Sequence, residues 1–214
     1  MSESVFCGSM IGVDEAGKGA VVGSMFVSAV YFDADFSVPD SKRLSSEERE
    51  KLAERVREAC NVAVVEITPE EIDAYVADGG MNDLMVEAHG RALDALDASG
   101  TVIADASDVS AERFARRLSE RADDAYDVSA EHGADDAYDA VGAGSVIAKV
   151  ERDAHVACYE AGSGYPGDPA TVEFLRDRAP DFPDCVRESW STTERLEREE
   201  RQSRFEDFDG TGDS

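Results

Sequence analysis

The first regular pattern in the chain is an apolar segment over residues 9–15 that ends in two adjacent carboxylates, Asp14 and Glu15. A Gly-Lys-Gly turn follows at residues 17–19, and strand-forming residues resume over 20–32. We predict two strands joined by this turn. Adjacent carboxylates at a strand end are costly unless a positive group lies nearby. The segment therefore indicates either a metal site or a solvated turn.

Helix signals follow this pair of strands. Ser45 and Glu48 have the spacing of a capping box that opens a helix. Residues 62–67 are typical of a third strand, and Thr68-Pro69 is typical of a helix start. A longer helix is predicted over 82–98. The apolar positions predicted to face the core are Leu52, Val56, Ala59 and Cys60 in the first helix, and Leu84, Met85, Ala88, Ala92, Ala95 and Leu96 in the longer one.

The second half of the chain repeats the strand-then-acid pattern once. Residues 101–104 form a short apolar run that ends in Asp105, and Ser110 caps a predicted helix containing Phe114 and Leu118. A helix is predicted over 141–159, then a short one after Asp168, then a charged one from Ser191. For the 141–159 helix we predict Val146, Val150, Ala154, Ala157 and Cys158 inward, and Lys149, Arg152 and Asp153 on a polar face.

This order of elements predicts an α/β fold with a mixed sheet flanked by helices. We expect a catalytic domain over residues 1–190 and a charged C-terminal helix over 191–206. The acidic tail, residues 207–214, is expected to be disordered.

Charge changes the picture. The 214 residues include 48 acidic and 21 basic side chains, for a net charge of −27. With 42% hydrophobic residues, this composition indicates a folded protein built for a very salty cytoplasm. At molar salt the Debye length is about 3 Å, so this acidity does not exclude a nucleic-acid partner.

Cysteine spacing and hydropathy exclude several other classes. The four cysteines are far apart, which excludes a zinc knuckle and argues against a disulfide scaffold. We find no signal-peptide pattern and no apolar run of membrane-spanning length. We therefore expect a soluble, cytoplasmic protein with no membrane partner.

Three acid-bearing segments are candidates for one site: Asp14-Glu15, Asp105 and Asp135-Asp136. An oxygen-rich, histidine-poor set suits Mg²⁺ or Mn²⁺. Neighbouring strand residues point to opposite faces, so we expect the glycines after Glu15 to permit a bend. The glycine spacing also has a dinucleotide-binding interpretation, but that motif opens a helix and strand-type residues follow here.

The segments that carry a family resemblance run in order from about residue 10 to residue 190. They are Gly12-Val13-Asp14-Glu15-Ala16-Gly17-Lys18-Gly19, Asp40-Ser41-Lys42-Arg43-Leu44, Asp105-Ala106-Ser107-Asp108, Ser129-Ala130-Glu131-His132-Gly133-Ala134-Asp135, Ala143-Gly144-Ser145-Val146-Ile147-Ala148-Lys149-Val150-x-Arg152-Asp153 and Gly162-Ser163-Gly164-Tyr165-Pro166-x-Asp168-Pro169, and the resemblance ends at Arg187-x-Ser189-Trp190. Together they resemble ribonuclease HII, most closely the archaeal form, here from an extreme halophile.

The resemblance implies a ribonuclease H-like fold and a metal-dependent endoribonuclease. Such an enzyme hydrolyses the RNA strand of RNA/DNA hybrids and nicks 5′ of ribonucleotides embedded in duplex DNA. Two metal ions, Mg²⁺ or Mn²⁺, would support in-line attack of water, leaving 3′-hydroxyl and 5′-phosphate ends. The implied catalytic and metal-binding acids are Asp14, Glu15, Asp105 and Asp135. Asp135 is chosen over Asp136 because the family acid lies three residues before a tyrosine, here Tyr138.

The same resemblance implies a substrate-binding set. Gly17, Lys18 and Gly19 would sense the ribose 2′-hydroxyl through backbone groups, and Tyr165 would stack on the sugar. Lys18 stands where the family usually has arginine. Phosphate contacts are expected from Lys42, Ser145 and Lys149, although Lys149 also fits a solvated helix residue and Ser145 a helix-bonded hydroxyl.

Near the C-terminus, Gln202, Phe205 and Phe208 resemble a degenerate sliding-clamp-binding segment. The alternative is a helix end whose aromatic residues pack on the body. Two other functions stay open: a nucleic-acid-binding module with weak catalysis, and a nucleotide-binding α/β domain that uses the glycine turn. We expect a monomer.

Overall fold

A computed structural model describes the backbone of residues 9–209 and the side chains of residues 9–202. Residues 9–209 contain one five-stranded sheet in the order β3-β2-β1-β4-β5. The strands are β1 Met10–Ala16, β2 Met25–Phe32, β3 Asn61–Ile67, β4 Gly100–Asp105 and β5 Tyr126–Glu131. The β1–β2 and β2–β3 pairs are antiparallel, whereas β1–β4 and β4–β5 are parallel. The predicted mixed sheet is confirmed.

The helices cover both faces of the sheet. They are α1 Ser46–Ala59, α2 Pro69–Asp78, α3 Met81–Asp94, α4 Ala111–Arg121, α5 Ala134–Ala137, α6 Asp139–Ala157, α7 Pro169–Arg176 and α8 Ser191–Asp209. Side chains of α3 and α4 pack with Ile11 and Val13 on one face. Side chains of α1 and α6 pack with Met10 and Ile103 on the other. A third cluster joins α7 and α8 to Val21 and Val22.

The predicted helix starts are confirmed. The Ser45 hydroxyl accepts the amide N–H of Glu48, whose side chain bonds the backbone of Ser45 in return, so the capping box is complete. Thr68, Ser110 and Asp168 cap α2, α4 and α7 through side-chain oxygens. Phe114 and Leu118 lie in α4, as predicted, and are buried. The backbone of α8 continues to Asp209, past the predicted end at residue 206.

The strand predictions need two corrections. The second strand begins at Met25 rather than at residue 20, because residues 20–24 form a loop in which Val22 makes a single bridge to Val186. Strand β5 was not predicted. It is a partly exposed edge strand with the acidic sequence Tyr-Asp-Val-Ser-Ala-Glu, so apolar periodicity gives little signal there.

Three predicted helix faces are wrong in part. In α1, Ala59 is exposed although it was predicted to face the core. In α6, residues 140–148 are all buried because this half is pressed between the sheet and other helices, whereas Ala154, Ala157 and Cys158 near its end are exposed. Arg152, predicted on a polar face, is buried. Helix α3 ends at Asp94, so Ala95 lies beyond it and is exposed.

Candidate metal and substrate site

Asp14 and Glu15 lie on opposite faces of β1. The strand stays regular through Ala16, which pairs with Phe26, so the expected bend is absent within β1. The two carboxyl groups nevertheless affect each other's pKa. Asp14 faces α6, which approaches so closely that a Cβ on Gly12 would lie 2.1 Å from the carbonyl carbon of Ala140. Asp14 is buried, and its Oδ1 accepts the amide N–H of Glu15 at 2.8 Å.

On the other face, Glu15 meets Ser107 and His89. The Ser107 hydroxyl donates a hydrogen bond to Glu15 Oε1. The buried Oε2 has no hydrogen-bond partner and lies 3.5 Å from Nε2 of His89, which also has none. His89 Nδ1 lies 2.8 Å from the Met85 carbonyl and must donate to it, so a neutral ring presents its lone pair to Glu15. Burial lowers the pKa of His89 to about 4.

The parallel pairing of β1 with β4 places Asp105 beside Asp14. Val13 is opposite Ala104, so the two acids follow at the same sheet edge and on the α6 face. Asp105 Oδ1 accepts the amide N–H of Ala134, which lies next to Asp135 at the start of α5. Asp135 is buried, whereas Asp136 is exposed as predicted. Asp108, by contrast, is paired with Arg113 and belongs to the start of α4.

Electrostatics show that these acids repel one another. Burial raises the pKa of Asp14 well above its usual value, and the charges of Glu15 and Asp105 raise it further. Burial also raises the pKa of Glu15, although the Ser107 hydroxyl opposes the shift. The pKa of Asp105 is raised by burial first, and then by Glu15 and Asp135. Such a group of buried carboxylates gains stability from a bound cation.

The donor set fits a hard divalent cation. Glu15 Oε2 and Asp135 Oδ1 are buried oxygens without a hydrogen-bond partner. All four side chains offer carboxylate oxygen, the donor that Mg²⁺ and Mn²⁺ prefer. In residues 9–202, no three ligand-type side chains already converge tightly enough to hold an ion. The acids are therefore electrostatic neighbours whose side chains must still close around a metal.

The Gly-Lys-Gly turn lies next to this edge. Gly17 has a φ of +92°, which favours glycine, and its carbonyl accepts the amide N–H of Ala20 at 3.2 Å. Lys18 does not project freely, because its Nζ donates to the Ser107 carbonyl at 2.6 Å. Gly19 is exposed, and a Cβ there would lie 3.9 Å from Cε1 of Tyr165. The turn and the tyrosine predicted to work with it thus face each other.

Most of the predicted substrate-binding residues share one cleft of about 350 Å³. Its lining includes Glu15, Gly17, Lys18, Gly19, Lys42, Lys149 and Tyr165. Tyr165 is 38% exposed, and the guanidinium carbon of Arg152 lies 4.4 Å from its ring centre. The sequence interpretation assigned Arg152 to a polar face and had no signal for its stacking on Tyr165 or for the approach of His89 to Glu15.

All three residues predicted to contact phosphate have protein partners. Lys42 Nζ lies 3.0 Å from Asp135 Oδ2. Lys149 Nζ donates to the hydroxyls of Ser41 and Ser145 at 2.5 and 2.8 Å. Ser145 is fully buried and does not line the cleft; its hydroxyl contacts Lys149 and the hydroxyl of Ser41.

In the possible clamp-binding segment, Gln202 is an exposed residue of α8. The side chains of Phe205 and Phe208 lie outside the described residues. None of the described helices has the length and apolar character needed to span a membrane.

Comparisons with known proteins identify the family of the chain. A family model described as Ribonuclease HII matches residues 11–193. A ribonuclease HII from Natronomonas pharaonis is 50% identical, over 93% of this chain and 99% of that protein. The crystal structure of ribonuclease H2 from Pyrococcus horikoshii OT3 superposes with a TM-score of 0.84 at 35% identity, covering 91% of this chain and 100% of that one.

A second solved structure is the PCNA:RNase HII complex from Archaeoglobus fulgidus, with a TM-score of 0.78 and 35% identity over 87% of this chain and 96% of that one. The sheet order, the acids at its edge and these likenesses lead to one conclusion. The chain belongs to the ribonuclease HII family of RNase H-type endoribonucleases.

Proposed function

We propose that this protein hydrolyses the RNA strand of RNA/DNA hybrids and nicks duplex DNA 5′ of embedded ribonucleotides. The observation that carries the proposal is the position of Asp14, Asp105 and Asp135 at one sheet edge, beside a cleft that contains the glycine turn and Tyr165. Family membership supports the endonuclease activity.

The metal-binding roles are assigned to Asp14, Glu15, Asp105 and Asp135. Two bound Mg²⁺ or Mn²⁺ ions would activate the attacking water and stabilise the leaving oxygen. The chain orients its own ligands through nearby groups. The Ser107 hydroxyl holds one oxygen of Glu15, and the amide of Ala134 holds one oxygen of Asp105. The unpartnered oxygens of Glu15 and Asp135 stay available.

Substrate recognition is assigned to other residues that line the cleft. Backbone groups of Gly17, Lys18 and Gly19 would sense the 2′-hydroxyl, the group that separates RNA from DNA. The Tyr165 ring, backed by Arg152, would stack on the sugar at the RNA–DNA junction. Lys42 and Lys149 would contact phosphates, with Ser145 holding Lys149 in place.

The two other candidate functions have less support. A nucleotide-binding domain needs a helix after its glycine turn, whereas residues 20–24 form a loop that leads into strand β2. A binding module with weak catalysis would not need four acids at one edge, since their mutual repulsion raises the pKa of buried carboxylates without a benefit.

The test is a nicking assay in molar KCl, with Mg²⁺ or Mn²⁺, on a duplex containing a single ribonucleotide. The wild-type chain is expected to cut it, and Asp105→Asn is expected to abolish cutting while the far-ultraviolet circular dichroism stays unchanged. Asp136→Asn is the matched control, because this exposed neighbour of Asp135 has no assigned role. No cutting by the wild type would refute the proposal.

A second proposal concerns the C-terminal segment, Gln202, Phe205 and Phe208, which we assign to a sliding clamp. The Archaeoglobus fulgidus complex supports it, since that relative is bound to PCNA. Calorimetric titration of a peptide of residues 198–212 into the clamp of a haloarchaeon is expected to show binding that Phe205→Ala with Phe208→Ala removes. Absence of binding by the unaltered peptide would remove the assignment.

A further inference from the structure

A fully buried arginine lies beneath the Gly-Lys-Gly turn. The side chain of Arg187 has no exposed surface. Its Nε and Nη2 donate to the Gly23 carbonyl at 3.0 and 2.9 Å, and its Nη1 donates to the Lys18 carbonyl at 3.0 Å. The Trp190 ring centre lies 5.0 Å from the guanidinium carbon. The hydrogen-bond acceptors of this cation are therefore backbone carbonyls.

Burying a cation against carbonyls is costly, because the charge loses its hydration. Burial lowers the pKa of Arg187 to about 10. A neutral apolar side chain of the same size would avoid this cost. In return, the arginine fixes the positions of two carbonyl groups, those of Lys18 and Gly23, which lie at the two ends of the loop between β1 and β2.

The backbone around Arg187 fixes the far end of the same loop. Val186 pairs with Val22 in an antiparallel bridge, and the Gly23 amide donates to the Cys185 carbonyl at 2.7 Å. The Arg187 amide donates to the Val21 carbonyl at 2.9 Å. The near end contains the turn, and there Arg187 makes its hydrogen bond through the guanidinium, to the Lys18 carbonyl.

The contact with Lys18 sets the orientation of one peptide plane. Within residues 9–209 the only cis peptide is Ala179–Pro180, so the Lys18–Gly19 peptide is trans, and its C=O and N–H point in opposite directions. Because the Lys18 carbonyl points inward to Arg187, the Gly19 N–H points outward. Gly19 is exposed and lines the cleft, and its N–H donates to no protein acceptor in the described part of the chain.

We propose that Arg187 is a positioning residue for sugar discrimination: by holding the Lys18 carbonyl, it presents the Gly19 N–H to the 2′-hydroxyl of the substrate. The inference rests on the proposed function. It assigns the preference of the enzyme for ribose over deoxyribose to a residue that does not itself contact the substrate. Losing this orientation costs the protein its preference for ribose, because the donor can then rotate away from the sugar.

The test measures binding without cleavage, in the Asp105→Asn protein. Dissociation constants are compared for a duplex with one ribonucleotide and for the same duplex in all-DNA form. Arg187→Lys keeps the charge but cannot reach both carbonyls, and Arg187→Met keeps the bulk. For both variants, the dissociation constant for the all-DNA duplex divided by that for the ribonucleotide duplex is expected to fall about fivefold to tenfold. This is the worth of about one hydrogen bond. The constant for all-DNA duplex is expected to change less than about twofold.

Arg178→Met is the matched control. Arg178 also donates a hydrogen bond to a backbone carbonyl and lies over an aromatic ring; both belong to Phe174. It is far from the Gly-Lys-Gly turn in sequence and makes no hydrogen bond to a group of that turn. It is expected to leave the ratio unchanged. An unchanged ratio in folded Arg187 variants, or equal weakening of both duplexes, would overturn the proposal. If the parent itself shows no preference for the ribonucleotide, the proposed function fails instead.

A second measurement decides the case in which neither Arg187 variant folds. In ¹⁵N-labelled Asp105→Asn protein, the Gly19 amide resonance is expected to shift with the ribonucleotide duplex and to shift much less with the all-DNA duplex. The same shift with both duplexes would overturn the proposal.

Discussion

Lys42 Nζ lies 3.0 Å from Asp135 Oδ2, so a residue assigned to phosphate also neutralises an acid assigned to metal. The lysine side chain is 57% exposed and the aspartate side chain 6% exposed. The ammonium group of Lys42 can therefore move away from Asp135, whereas the Asp135 carboxylate keeps its buried position. The acid Asp136 lies farther from the same ammonium, at 3.9 Å. The pairing therefore joins a residue proposed to bind substrate to a residue proposed to bind metal.

This relationship gives the first prediction. Lys42→Gln removes a positive charge beside the metal ligands, so Mn²⁺ is expected to bind several-fold more tightly, as measured by calorimetry on the protein alone. Hybrid binding is expected to weaken, and the slope of log K against log salt to decrease by about 1. Lys51→Gln is the control, because Lys51 is similarly exposed and pairs with Glu47 on α1. Equal effects from both variants would contradict the assignment.

The second prediction concerns the metal-free protein. The pKa of Asp14 is raised in the folded state by burial and by Glu15. The folded protein therefore holds this proton at pH values where the unfolded chain has lost it. Stability then decreases as pH rises from the ordinary carboxyl pKa through the raised one, and the full penalty is present above that.

Asp14→Asn is accordingly expected to raise the melting temperature in EDTA at pH 7 and to remove the increase that Mn²⁺ gives the wild type. Differential scanning calorimetry between pH 4 and 8 checks both effects. Asp136→Asn should do neither. A lower melting temperature for Asp14→Asn in EDTA would show that the carboxylate is not destabilising.

The third prediction concerns the tyrosine in the cleft. Tyr165→Ala removes the ring that lies over Arg152 and beside Gly19, and stacking on a nucleic acid is worth about 1–3 kcal/mol. We expect KM for a single-ribonucleotide duplex to rise roughly fivefold to a hundredfold. Tyr165→Phe keeps the ring and is expected to stay within about threefold of the wild type. Equal losses for the two variants would assign the role to the hydroxyl group instead.

The fourth prediction concerns stability away from the site. Glu87 on α3 bonds Arg121 on α4 and Arg91 one turn further along α3. The Arg121 hydrogen bond is the main reason why the pKa of Glu87 is lowered to about 2. Glu87→Gln is expected to cost roughly 1–2 kcal/mol of unfolding free energy at pH 7.

Since a lowered carboxyl pKa stabilises the fold above the unfolded pKa, the difference between wild type and Glu87→Gln should fade as pH drops from about 4.5 to 2. Urea denaturation at several pH values measures it. Glu120→Gln, in an exposed pair with Arg116 on the same helix α4, is the control. A difference that stays constant with pH would contradict the ion-pair explanation.

The sequence predicts the positions of the acids well because each of Asp14 and Asp105 follows a short apolar run, and parallel strands end at one edge. It does not predict how Glu15 is used. A regular β1 sends this side chain to the α3 face, where His89 and Ser107 meet it, and contacts between residues so far apart leave no periodic signal.

Arg152 and Arg187 mark the limit of pattern-based prediction. Both are charged residues that hydropathy assigns to the surface, yet both are buried against backbone carbonyls and aromatic rings. The approach of the loop after β1 to the segment before α8 explains the burial of Arg187. The approach of α6 to the loop that contains Ser163 and Tyr165 explains that of Arg152. Edge strand β5 escapes prediction for another reason, because its acidic sequence buries too little apolar surface.

The most direct test of the central claim is to map the cut in a duplex with one ribonucleotide, in molar KCl and Mn²⁺, on a sequencing gel. The account predicts a single nick immediately 5′ of the ribonucleotide, with a 3′-hydroxyl and a 5′-phosphate, and no nick in the all-DNA duplex. Cutting on the 3′ side, a 2′,3′-cyclic phosphate end or equal cutting of the all-DNA duplex would contradict it.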